Sequence, residues 1–94
     1  MRQKTNTFEW AKAIGVSPAR AMEAKIKAQL ISAVIEAAKA QGLTHAELAK
    51  RSGLPRSAVT GILSGSLQKV TIDRVLRLVE AARLVAEVQL KKAA

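Results

Sequence analysis

Between Gly42 and Gly65 the chain reads as two short helices joined by a tight turn, and no other stretch constrains the fold as strongly. Thr44 supplies a side-chain oxygen for the first free backbone N–H groups. Glu47, three residues later, completes the sequence pattern of a capping box. Leu48 and Ala49 face inward, and Ala49 is small where two helices must approach closely. Gly53 sits where the chain turns, a position suited to positive φ, which a side chain would make costly. Pro55 fits the first turn of the following helix, and Leu54 before it is biased away from helix. Val59, Ile62 and Leu63 form the second helix's inward face, and Gly65 ends it. Arg56, Ser57, Thr60 and Gly61 are left on the outer side.

A unit of this kind can lay its second helix in the major groove of double-stranded DNA, and the charge of the chain points to the same partner. Sixteen Lys and Arg stand against seven Asp and Glu, for a formal net charge of +9. Such an excess draws a protein toward polyanions. From Lys50 to Arg77 there are six basic residues and a single acid, Asp73, so the excess gathers around the second helix.

Outside this stretch the pattern is also helical. Thr7 starts a short helix over Phe8 to Ile14, stopped by Gly15. Phe8 and Trp10 are placed on the long helix that follows, with a subunit or partner interface as the alternative for Trp10. Ser17-Pro18 begins the longest element, with Met22, Ile26, Leu30, Ala33 and Ala37 recurring at helical spacing and Ile31, Val34 and Ile35 widening the stripe. Gly42 ends it. Residues 66–70 connect to a further helix capped by Thr71 and Asp73, with Ile72, Val75, Leu76 and Val79 as its apolar stripe. The expected organisation is a mobile tail over 1–6, a helical domain over 7–81 with the two-helix unit at 44–65, and a C-terminal element over 82–94. That last element either continues the helix or forms a strand, because Val85, Glu87 and Gln89 alternate with Ala86, Val88 and Leu90. A lone strand needs a partner for its backbone groups, and a second subunit is the obvious source.

Residues 43–65 resemble the helix-turn-helix of the Cro and phage cI repressor-like family, often called XRE. Leu43-Thr44, Glu47-Leu48-Ala49, Gly53, Val59, Ile62 and Gly65 stand at matching offsets. Phe8 to Gly15, Ser17 to Ala21 and Lys27 to Leu30 are similar to the opening of small XRE regulators of the HigA antitoxin type. Residues 65–81 and Leu84 to Leu90 are similar to their ending. The resemblance implies an all-α, repressor-like domain with a short C-terminal strand pairing across a homodimer, with Val85, Val88 and Leu90 at the interface. It implies a transcriptional repressor on a palindromic operator, or an antitoxin that binds a HigB/RelE-like toxin and represses its own operon. The chain departs from the family at Ala82-Arg83, where relatives often carry glycine, and in the outer residues of the second helix.

On this reading Arg56 is the principal base reader, since its planar fork matches guanine O6 and N7. Ser57 and Thr60 reach a base edge, a thymine methyl or phosphate, and Gly61 permits close approach. Thr44, His45 and Pro55 lie at the helix starts nearest the backbone, and Lys69 and Arg74 are phosphate candidates. Leu48, Ala49, Gly53, Val59 and Ile62 are structural. The chain has no cysteine, one histidine and no paired carboxylates at useful spacing, so no catalytic, metal or cofactor site is expected. No apolar run follows the basic opening residues and none reaches membrane length, so a soluble, cytoplasmic protein is expected.

Overall fold

The structure, a computed structural model, describes residue 15 and residues 17–92. The helix expected over Phe8 to Ile14, with Phe8 and Trp10, lies outside the described residues. Within them are four helices: α1 (Pro18–Gln41), α2 (His45–Ser52), α3 (Arg56–Leu63) and α4 (Ile72–Ala81). The described part is all-α, and α2 and α3 form the two-helix unit. No strand occurs among the described residues.

Local chemistry starts three of the helices. Ser17 accepts a hydrogen bond from Arg20 N (3.2 Å), Thr44 from Glu47 N (3.1 Å) and Thr71 from Arg74 N (3.3 Å). Each satisfies one of the donors that the first helical turn leaves free. The fourth start differs, because Pro55 occupies the N-cap position of α3 with no side-chain cap.

All four helices end on a left-handed residue: Gly42 (φ 66°), Gly53 (φ 76°), Gly65 (φ 98°) and Arg83 (φ 60°). After α1, Leu43 N donates to Ala38 O (2.9 Å) and Gly42 N to Lys39 O (3.2 Å). After α3, Ser66 N donates to Gly61 O (3.1 Å) and Gly65 N to Ile62 O (3.0 Å). After α4, Leu84 N donates to Val79 O (3.0 Å) and Arg83 N to Glu80 O (2.9 Å). These paired bonds are the Schellman ending, which satisfies carbonyls the last turn would leave open. The α4 ending settles one alternative. The tail does not continue the helix, even though glycine is missing where the stop falls. Residues 84–92 carry neither helix nor ladder. The strand alternative is not realised within the single chain either, since a ladder needs a second strand and the described residues supply none.

The core lies between α1, α4 and the two-helix unit. Val34 of α1, Leu48 of α2, Val59 of α3, and Val75 and Leu78 of α4 are fully buried. Two apolar stripes differ from the sequence expectation. On α1 the buried residues are Ala21, Lys27, Ile31, Val34 and Ala38, while Met22, Ile26 and Ala33 are exposed. Ile31 and Val34 of the expected stripe are buried, but the seam through them runs one residue aside of Ile26, Leu30, Ala33 and Ala37, about 100° of helix, and a lysine within it disguises it. On α4 the buried line is Val75, Leu78, Val79 and Ala82, whereas Ile72 and Leu76 face solvent. Leu78, the largest buried residue of α4, was absent from the expected stripe.

Side chains from two helices hold the end of α4. Gln41 Nε2 donates to Ala82 O (2.8 Å) and Arg51 Nη1 donates to Ala81 O (3.2 Å). Lys27, 4% exposed, is paired with Glu23 (3.5 Å) and donates to Leu67 O (3.5 Å), fastening the segment after α3 onto α1.

Candidate nucleic-acid interface

The turn between α2 and α3 fixes how the outer face of α3 is presented. Gly53 N donates to Ala49 O (2.9 Å), with Gly53 left-handed. The next donor, Leu54 N, is buried and finds Ser52 Oγ at 3.2 Å, while Ser52 Oγ donates to Ala49 O (3.3 Å). Ser52, itself buried, therefore takes over a hydrogen bond that the backbone cannot make there. Leu54 closes into the core beside Leu48 and Val59. Leu48, Val59 and Ile62 are buried, Ala49 is half-buried, and Gly53 makes the turn.

With Val59 and Ile62 inward, α3 turns Arg56, Ser57 and Thr60 to solvent. Arg56 and Thr60, four residues apart, share one face. Gly61 is half-buried, and a Cβ built there would meet nothing within 4 Å. Pro55 is exposed at the start of the helix. Thr44 and His45 sit at the start of α2. The Thr44 hydroxyl, besides capping Glu47 N, donates to Glu47 Oε1 (3.3 Å). His45 Nδ1 lies 3.0 Å from Thr60 Oγ1, joining the start of α2 to the outer face of α3.

Lys69 is exposed on the connector after α3, and Arg74 is exposed in the first turn of α4. The ion pairs among the described residues are Lys27–Glu23 and Arg77–Asp73, and neither uses Arg56, Lys69 or Arg74. The structure thus brings His45 and Thr60 into contact and sets Arg56 and Ser57 on the same helix as Thr60. Lys69 and Arg74 come from separate elements. Val85, Val88 and Leu90 stand far out in solvent, each more than 80% exposed.

Sequence reasoning missed Ser52, Gln41, Arg51 and Lys27. Ser52 directly before a turn glycine carried a signal, because a hydroxyl there can bond the local backbone. The other three act on groups 30 to 41 residues away, which no local pattern reveals. Among the described residues no group of three or more His, Cys, Asp or Glu could hold a metal ion. No described helix is long and apolar enough to cross a membrane.

The chain matches a family described as a helix-turn-helix domain over residues 12–91. No curated protein and no solved structure matches it.

Proposed function

The chain belongs to the helix-turn-helix domain family, of the XRE/Cro-cI-like kind, and on that premise we propose that it is a sequence-specific transcriptional repressor. A helix-turn-helix domain of this kind suggests a DNA-binding regulator. The observation that carries the finer reading is the outer face of α3. Arg56, Ser57 and Thr60 stand exposed, directly behind them Val59 and Ile62 are locked into the core, and Arg56 enters no ion pair among the described residues. In this role Arg56 reads a guanine, Ser57 and Thr60 meet base edges or phosphate, and Gly61 and Pro55 allow close approach. Thr44, His45, Lys69 and Arg74 fix the domain on the backbone. The protein acts as a homodimer on a palindromic operator, with two α3 helices one turn of DNA apart. The exposed Val85, Val88 and Leu90, alternating along a tail with no ladder of its own, support strand pairing between subunits.

Fluorescence anisotropy against the promoter of its own gene tests this reading. The protein prefers that promoter over unrelated duplex DNA at moderate salt, and Arg56→Ala removes about 1–3 kcal/mol of the preference. Equal affinity for both duplexes, unchanged by Arg56→Ala, sinks the specific repressor. A solution mass of one chain at micromolar concentration sinks the dimer.

A second reading is an antitoxin that binds a HigB/RelE-like toxin and represses its own operon. Met22 and Ile26, each 47% exposed on the N-terminal half of α1, favour it, because they offer apolar contact area away from α3. An adjacent reading frame for a small RelE-like protein that co-purifies with the chain supports this reading, and the lack of such a frame counts against it.

A further inference from the structure

Among the described residues the contact between His45 and Thr60 is the one hydrogen bond between side chains of two different helices. Both residues are exposed. A hydrogen bond in water exchanges solvent partners for protein partners and contributes little to stability. What it does supply is direction. It holds the Thr60 hydroxyl in one orientation on the face of α3 that also carries Arg56.

A threonine hydroxyl has a single proton and two lone pairs, and a neutral imidazole has one donor nitrogen and one acceptor nitrogen. When Nδ1 accepts the Thr60 proton, Nε2 carries the ring's hydrogen. Thr60 then has no proton left to donate. It presents lone pairs and a methyl group. In the opposite arrangement Nδ1–H donates to Thr60, the hydroxyl proton is free, and neutral Nε2 offers a lone pair. That lone pair is repelled by a phosphate oxygen, so of the two neutral arrangements a DNA backbone beside His45 favours the first. Lys39 of α1 lines the same cleft as His45, with Leu63 and Ser64 of the α3 end, so a cation stands on the lining that the ring shares.

We propose that His45 is a positioning residue that determines specificity. In the neutral ring Nε2–H donates to a phosphate, Nδ1 takes the proton of Thr60, and Thr60 is thereby fixed as a hydrogen-bond acceptor. In the major groove an acceptor is matched by the amino group of adenine or cytosine, whereas guanine O6 and N7 and thymine O4 present acceptors of their own. Thr60 therefore selects an amino-bearing base at one position of each half-site. The proposal rests on the DNA-reading function, and its failure is separable from the failure of that function.

The test is selection from a pool of random 30-base-pair duplexes with the unaltered chain, His45→Ala, His45→Gln and Thr60→Val, followed by affinity measurements on the selected site. The unaltered chain selects adenine or cytosine at one position per half-site. Thr60→Val, which removes the hydroxyl and keeps the shape, erases that preference alone. His45→Ala relaxes the same position and weakens binding about three- to tenfold, with the salt slope unchanged, because a neutral imidazole releases no counterion. In the Thr60→Val background the cost of His45→Ala shrinks by about threefold or more, the mark of two coupled groups. His45→Gln, whose amide can accept from Thr60 and donate to phosphate, restores the preference. Thermal melts of all variants coincide, which excludes misfolding as the cause. Independent effects of the two substitutions, or a base preference at that position unchanged in His45→Ala, overturn the proposal while leaving DNA reading intact. A pool from which the unaltered chain selects no sequence overturns both.

Discussion

Arg83 is the one non-glycine residue with positive φ among the described residues, and it stands where α1 and α3 end on glycine. The left-handed conformation costs a residue with a Cβ about 1–2 kcal/mol relative to glycine. Glycine returns about 0.4–1 kcal/mol of that through the greater freedom of the unfolded chain. The arginine charge near a helix C-terminus adds a favourable contribution of about 0.3–1 kcal/mol, so the informative comparison is between Arg83→Ala and Arg83→Gly, both lacking the charge. Those two differ by one methyl group, and the glycine variant is expected to be more stable by about 0.5–1 kcal/mol. For a domain of this size that is a melting temperature higher by about 2–8 °C. The mirror experiment is Gly42→Ala. Gly42 makes the same pair of backbone bonds, and a Cβ there meets nothing within 4 Å, so its cost is purely conformational. It is expected to lower stability by about 1 kcal/mol. Thermal and urea unfolding of the three variants measure all of this. Arg83→Gly melting at or below Arg83→Ala would refute the reasoning, because the left-handed geometry would then carry no cost for a side chain to relieve.

Three further outcomes follow from single contacts. Ser52→Ala leaves the buried Leu54 N–H without its acceptor, and urea unfolding should show a loss of about 1–3 kcal/mol. Lys27→Met keeps the buried stem and removes a charge whose partner Glu23 is mostly exposed, and Leu67 O retains its bond from Val70 N (3.2 Å). Its melting temperature should match or exceed that of the unaltered chain, whereas Lys27→Ala, which also loses packing, should melt lower. Gly61→Ala adds a methyl group inside α3 where nothing stands in its way, and should stabilise the domain by about 0.5–1 kcal/mol in the same assay.

The helix ends were the legible part of the fold. Ser17, Thr44 and Thr71 as starts, and Gly42, Gly53 and Gly65 as stops, act through atoms within a few residues of themselves, so their chemistry is written locally. The buried faces of α1 and α4 were less so. Alanine is spread around α1, and a buried lysine interrupts its true seam, so the apolar pattern pointed one residue aside. Leu78 stayed hidden for a related reason: Ile72 and Leu76 offered an equally good stripe, and only the placement of α1 and α2 decides between them. The α4 ending was hard to read because Arg83 adopts a conformation that its type disfavours, held there by Leu84 N and Arg83 N bonding back into the helix. In the candidate interface, the outward set on α3 followed directly from the inward one. The pairing of His45 with Thr60 did not, since it depends on the angle between two helices.

Gly61 leaves a blank among the side chains of α3. It is flanked by Thr60 and lies five residues from Arg56, yet no neighbour stands within reach of a new Cβ. A Cβ introduced there displaces nothing in the scaffold that carries it, and as alanine it even favours the helix. Changes of target and changes of fold are therefore decoupled at this position. If α3 meets a partner as proposed, a substitution at site 61 alters that surface with no prior stabilising change needed to hold the fold.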